Sequence, residues 1–409
     1  MKTFTIEDIS NHNKIDDCWV SIYDEVYDIT DFMKKEHPGS FIPLSVSGKD
    51  ATNIFIATHP SYVKIMLDPN SIFYKNYHVG TIHEKNRSLS NDNLYFELKE
   101  QVEKYILNHN LRERDIPLFD LEVIVFIVLT IVTYIKLLTS KYIVCFSILH
   151  GITWTFMMTR TIHDCNHGCL TKENRWKRYL FTFVVEIFSS NQSWQAKHNL
   201  HHMYTNDYDK DPDVKAPFRL SKKIKPKYIH LYQSVYTLFL YSLYSLNNIA
   251  GNRFISDTDA EPVHKSFFYV AKGILVSLIY ATIRYERFKY WILSMMLSGF
   301  YLGIVFSVNH NLYYLTDEYR NTNSFLEEQL SSTSDYNPGS KITNFITHGL
   351  NHQTIHHLFP SINYHNYPEL TKNVLIPFCK KYNLNYHGEK KTFLELVYIH
   401  LISLYRWRK

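Results

Sequence analysis

Trp194-Gln195-Ala196-Lys197-His198-Asn199-Leu200-His201-His202 is the stretch from which the rest of the chain can be read. On a helix, offsets of three and four residues bring the three imidazoles onto one face, close enough to share metal ions. Two other clusters accompany it: His163-Asp164-Cys165-Asn166-His167, where an offset of four again stacks a pair, and Gln353-Thr354-Ile355-His356-His357. Seven histidines exceed what one four-coordinate zinc uses, and no cysteine cluster stands beside them. Ligand count therefore points to a two-metal centre, while imidazole alone does not choose among iron, copper, nickel and zinc. With 22 His in 409 residues, some HxxHH strings arise by chance. Against chance stands their position among apolar segments, where unpaired polar groups are costly. A zinc-hydrolase motif needs Glu after its first His, and here Asp164 follows His163.

The net charge of +5 is too small to suggest nucleic acid as a partner. Its distribution is more telling. Residues 1–80 hold seven Lys and no Arg against eleven Asp and Glu, a net of −4, so the remainder carries +9. An acidic head on a basic body suits a body lying against anionic lipid and a head meeting a soluble partner. The five scattered cysteines imply no disulfide framework. The first 30 residues are polar and acidic without an apolar core, so no signal peptide is expected and the N-terminus is expected in the cytosol.

The first 80 residues read as a small mixed domain of short strands and helices. Its signature runs Trp19-Val20-Ser21-Ile22-Tyr23, Val26-Tyr27-Asp28-Ile29-Thr30-Asp31-Phe32, His37-Pro38-Gly39-Ser40, then Gly48-Lys49-Asp50-Ala51-Thr52, Thr58-His59-Pro60 and Tyr77-His78-Val79-Gly80. In this order the segments resemble cytochrome b5, with Ser40 where that family usually has a second Gly. The resemblance implies a haem b with His37 and His59 as its two axial ligands, an iron with no open position that passes electrons and binds no oxygen. His12, His78 and His83 lack such support and are expected at the surface. A polar connector follows, with Leu94, Leu98, Val102, Tyr105 and Ile106 as the apolar stripe of one packing or interfacial helix.

Four apolar segments come next, at 118–138, 142–159, 267–283 and 290–308, each near the roughly 20 residues a bilayer requires. Stretches at 179–189 and 231–247 carry Glu186 or frequent Tyr and Ser and read as interfacial helices. Glu122 and Lys136, near segment ends, are expected to snorkel. With residue 1 cytosolic and four crossings, all three histidine clusters fall on the cytosolic side together with the head. Arg284, Arg287 and Lys289 then fall in a lumenal loop, against the positive-inside trend.

Three boxes carry a second resemblance: His163-Asp164-Cys165-Asn166-His167-Gly168, His198-Asn199-Leu200-His201-His202, and Gly349-Leu350-Asn351-His352-Gln353-Thr354-Ile355-His356-His357-Leu358-Phe359-Pro360. Together with the head they resemble the cytochrome b5-fusion, or front-end, membrane fatty acyl desaturases. Gln353, in place of a first histidine, is a mark of that branch. Asn166 and Thr354-Ile355 depart from it, the latter losing a Glu that would orient the third box. The implied fold is an α+β cytochrome b5-like domain over 1–83, a connector over 84–117 with an amphipathic helix, and an all-α membrane desaturase domain over 118–409. That domain has about four transmembrane helices and a cytosolic histidine-rich cap.

The resemblance implies two non-haem Fe ions held by His163, His167, His198, His201, His202, His356 and His357, with His310 and Gln353 as further candidates. It implies an oxygen-dependent reaction on a fatty acyl-CoA or acyl lipid, placing a cis double bond between adjacent methylenes, with O2 as co-substrate. Two electrons per turnover come one at a time through the haem from NADH, by way of a separate cytochrome b5 reductase. An unactivated methylene has no acidic proton, so side-chain acid–base chemistry cannot serve. The implied location is the endoplasmic reticulum membrane, with site and head facing the cytosol. Two alternatives remain: sphingolipid long-chain-base desaturation or acyl hydroxylation on a similar scaffold, and a membrane-anchored electron carrier that would need only His37, His59 and one crossing.

Overall fold

The computed structural model describes residues 2–14, 16–35, 46–59, 61–83, 93–164, 167, 169, 175–216, 218–221, 223–251, 262–315 and 324–408. His37 lies outside the described residues. The head contains β1 (Thr3–Phe4), β2 (Asn13–Lys14), β3 (Asp17–Ile22), β4 (Glu25–Asp28), β5 (Lys49–Asp50) and β6 (His78–Ile82) in one sheet. Its order is β1-β6-β4-β3-β2, with β5 paired to β3. Cys18, Val20 and Ile22 alternate into the core along β3, as a half-buried strand requires. Between β3 and β4, Tyr23 and Asp24 both take positive φ, 53° and 66°, the primed turn whose twist matches paired strands. Four short helices pack on the sheet: α1 (Ile6–Ser10), α2 (Thr30–Lys35), α3 (Thr52–Thr58) and α4 (Ile72–Tyr77). Two histidines expected at the surface have structural partners instead. His78 pairs with Glu25 at 2.5 Å and stacks on Tyr74, and His12 stacks on Trp19.

The remainder is helical: α5 (Asn93–Asn108), α6 (Pro117–Thr139), α7 (Ile143–Met158), α8 (Arg175–Phe188), α9 (Asn191–Met203), α10 (Gln233–Ser242), α11 (Tyr244–Gly251), α12 (Pro262–Arg284), α13 (Phe288–His310), α14 (Phe325–Ser332), α15 (Lys341–Thr347), α16 (Gln353–Leu358) and α17 (Phe393–Arg406). Among the described residues three helices are long and apolar enough to cross a membrane, at Pro117–Thr139, Phe267–Arg284 and Phe288–His310. The fourth expected segment, α7, is α-helical for only 16 residues and then widens into a π-helical turn at Thr159–Asp164. It crosses α13 closely, since a Cβ on Gly151 would stand 2.7 Å from the Ser294 carbonyl. Ile124, Val128, Ile131 and Ile135 of α6 point outward, as lipid-facing residues do.

Glu122 does not snorkel. It is buried, receives Arg160 Nε at 2.9 Å and the Tyr364 hydroxyl, and has His365 Nε2 3.3 Å from its other oxygen. Arg160 is fully buried among Phe126, Phe156, Phe345 and Tyr364, stacking on their rings. The stripe on α5 proves to be a packing face: Leu98, Val102 and Ile106 join Ile56 and Ala57 of the head and Ile355, Leu358 and Phe359 of the third box in one apolar cluster. Head, connector and body therefore share a core.

Candidate metal centre and haem cleft

The histidines reach the centre from several local structures. His163 lies on the π turn after α7, where an extra residue per turn re-aims the side chain. His198, His201 and His202 share the inner face of α9, and His356 and His357 end α16. α16 follows a tight reversal in which His348 and Gly349 both adopt left-handed backbone, φ 54° and 78°. A Cβ at Gly349 would also stand 2.7 Å from the Tyr364 side chain, so the turn fits glycine. His310 is the last residue of α13.

The imidazoles divide into two groups. His163, His167, His198 and His356 place ligand nitrogens within 4.8 Å of one another, and so do His201, His310 and His357. His202 bridges the groups: its Nε2 is 3.1 Å from His198 Nε2, and its ring stacks on His357. His163 Nε2 and His356 Nε2 are likewise 3.1 Å apart. Gln353 Nε2 lies 3.0 Å from His310 Nε2 and 3.1 Å from His357 Nε2, while its Oε1 accepts from Asn309 Nδ2 at 3.2 Å. The structure thus brings together His163, His167, His198, His201, His202, His310, Gln353, His356 and His357.

The outward nitrogens fix which way these rings face. His201 Nδ1 donates to Asp211 at 2.9 Å, His310 Nδ1 to the Ser332 carbonyl at 3.1 Å, and His357 Nδ1 to Gln329 Oε1 at 2.9 Å. His163 Nδ1 donates to Asp164 at 3.1 Å, and His356 Nδ1 meets the Tyr367 hydroxyl at 3.0 Å. With the proton held on Nδ1, each Nε2 presents a lone pair to the centre, the arrangement that outer acceptors give to metal-bound imidazoles. Among the described residues, His167 Nε2 and His202 Nδ1 are buried without a hydrogen-bond partner.

The electrostatics agree. Burial, and then the neighbouring imidazoles, push His167, His198, His202, His356 and His357 well below their ordinary pKa, so they stand neutral. Burial also lowers His201, but the Asp211 and Asp213 carboxylates more than reverse it and hold it up at about 9. Converging lone pairs and buried nitrogens without partners among the described residues fit bound divalent metal.

Sequence reading missed the acceptors Asp211, Gln329 and Tyr367 and the wider role of Asp164, which also takes His348 Nε2 at 2.9 Å and Asn363 Nδ2 at 3.2 Å. Asp164 carried one signal, since it replaces the Glu of a hydrolase motif. Asp335 accepts from Thr354 N at 2.8 Å and Thr354 Oγ1 at 3.0 Å near the start of α16.

In the head, Val20, Ile22, Ile54, Phe55, His59 and Leu67 line part of an apolar cavity of about 230 Å³. His59 Nδ1 donates to the Phe55 carbonyl at 3.0 Å, and burial lowers its pKa to about 4, leaving a neutral imidazole at the cleft. This donor and the apolar wall fit a haem.

Comparison with known proteins agrees with this geometry. Residues 140–390 match the fatty acid desaturase family, and residues 5–83 match the cytochrome b5-like haem/steroid-binding domain. The chain is 29% identical to Delta(5) fatty acid desaturase A of Dictyostelium discoideum, over 99% of this chain and 94% of that one. It is 27% identical to acyl-lipid (8-3)-desaturase B of the same organism, over 99% and 94% of the two chains. Identity to the acyl-lipid (8-3)-desaturase of Mortierella alpina is 27%, over 98% and 96%. A buried two-group histidine centre, a haem cleft and matches that span both regions have one reading: the chain belongs to the fatty acid desaturase family, in its cytochrome b5-fused, front-end branch.

Proposed function

We propose that this enzyme places a cis double bond on the carboxyl side of an existing one in a polyunsaturated acyl chain carried by a lipid or coenzyme A. The relatives named for Delta(5) and (8-3) activity support a bond close to the carboxyl end. The observation that carries the reading is the convergence of His163, His167, His198 and His356 beside His201, His310 and His357, with Nδ1 atoms bound outward. When bound, two irons and a haem supply oxygen activation and one-electron transfer, with O2 as oxidant and NADH, through a reductase, as the electron source.

The chain's own residues do the rest. His163, His167, His198 and His356 would hold one iron and His201, His310 and His357 the other, with His202 between the groups and Gln353 beside His310 and His357. Asp211, Asp164, Gln329 and the Ser332 carbonyl lock the rings from behind. An apolar pocket lined by Trp154, Met158, Ile162, Phe188, Leu302 and Phe306 reaches His163. Its apolar side chains would bury a short stretch of an acyl chain beside the centre. His37 and His59 hold the haem. The packing of α3 against α9 supports placing head and centre on one membrane face, and the resemblance to the desaturases assigns that face to the cytosolic side of the endoplasmic reticulum. Expression in a host without polyunsaturated lipids, with feeding of unsaturated acids and mapping of new bonds, tests this. New bonds are expected between the carboxyl group and the nearest existing bond; hydroxylated products, or no product beside a reducible haem, would contradict it.

A further inference from the structure

Lys99 stands out in α5. It sits within the apolar stripe of that helix and is only 6% exposed, yet an ammonium in an apolar setting is expensive unless its protons are used. Here Nζ donates to the Ile56 carbonyl at 2.6 Å and the His59 carbonyl at 2.5 Å. Arg114 donates to the Thr58 carbonyl at 3.1 Å, and Glu103 Oε1 accepts from Ser61 N at 2.9 Å and Ser61 Oγ at 3.0 Å. All four head residues lie at the end of α3 or just beyond it, around His59. Carbonyls that end a helix lack internal partners and carry its negative pole, so two cations there satisfy and attract them. These cations belong to the connector and the pre-membrane segment, not to the head.

A second contact comes from the body. Met203, the last residue of α9 and the neighbour of His202, is 4% exposed and packs in the same apolar cluster as Val20, Ile22, Ile29, Val46, Ala51 and Ile54. Those six residues also line the haem cleft. The helix that carries His202 thus ends in a side chain packed into the apolar cluster that lines the cleft.

We propose that the haem domain is a fixed part of the body, latched at α3 by Lys99 and Arg114, and that Met203 is the contact through which electrons pass from the cleft to His202. The inference rests on the electron-relay reading above and changes its character: the head does not diffuse on a tether between reductase and site. His59 would hold the haem and His202 an iron, and one-electron transfer between the two groups would make and break no bond. Lys99 and Arg114 are positioning residues.

Hydrogen–deuterium exchange on the full-length holoprotein in lipid nanodiscs tests the latch without depending on turnover. In Lys99→Met the amides of residues 49–67 should exchange about tenfold faster or more, because two charge-assisted hydrogen bonds are lost. Lys99→Arg should recover part of the protection. Arg114→Ala, which removes only the Thr58 contact, should show the same local effect at smaller size and serves if Lys99→Met does not fold. Stopped-flow reoxidation of the reduced haem, with acyl substrate and oxygen, should slow about tenfold in Lys99→Met while reduction by the reductase keeps its rate. Wild-type exchange over 49–67 in both variants would overturn the latch, and faster exchange with unchanged reoxidation would overturn the fixed path. A wild-type haem that substrate and oxygen never reoxidise would instead overturn the relay reading, leaving the exchange result to be judged alone.

Discussion

Gln353 places an amide nitrogen against two imidazoles of the centre, and its environment is built. Asn309 Nδ2 is anchored on the Leu350 carbonyl at 2.6 Å and also reaches Gln353 Oε1, turning the Gln353 Nε2 toward His310 and His357. Removing a buried polar group leaves its partners unsatisfied, at roughly 1–3 kcal/mol, even where it is no ligand itself. Gln353→Ala should therefore lose about tenfold or more in turnover, and Gln353→His should keep part of it by adding a stronger donor. Equal turnover of wild type and Gln353→Ala at equal iron content would make this a bystander. The histidines were legible because helical offsets of three and four bring side chains onto one face. Their supports were not. Gln329 is 28 residues from His357 and Asp164 is 184 residues from His348, so only the tertiary fold shows which polar residue stands behind which ring.

At the scale of elements, the π turn after α7 depends on a buried ion pair. Arg160, within the turn, is held by Glu122 from α6 and the Phe345 carbonyl, and these contacts fix the segment that carries His163. Glu122→Gln keeps the shape but leaves the guanidinium charge uncompensated, and breaking such a pair costs about 3–5 kcal/mol. We expect a lower melting temperature in detergent and a loss of iron that exceeds any loss of haem; an unchanged melt would mean the pair is slack. An acid near the end of an apolar run read as a snorkelling side chain, because its partner lies 38 residues on and the Tyr364 hydroxyl 242 residues on. The same limit shortened α7: apolar composition marks a span but does not reveal where a helix widens into a π turn.

For the whole molecule, sequence order alone separated an acidic head, a connector and an apolar body, and composition with motif spacing sufficed for that. It did not show that Leu98, Val102 and Ile106 of the connector knit Ile56 and Ala57 to Leu358 and Phe359, since an amphipathic stripe does not name what it covers. The shared core joins the element that carries His59 to the third histidine box, and two irons beyond the haem are expected at the histidine groups. Metal analysis of the purified full-length protein, with haem measured separately by its spectrum, tests that most directly. The account predicts about two non-haem irons per chain, reduced in His201→Ala with the haem spectrum intact. One iron per chain, or a centre filled by zinc in an enzyme that still desaturates, would contradict it.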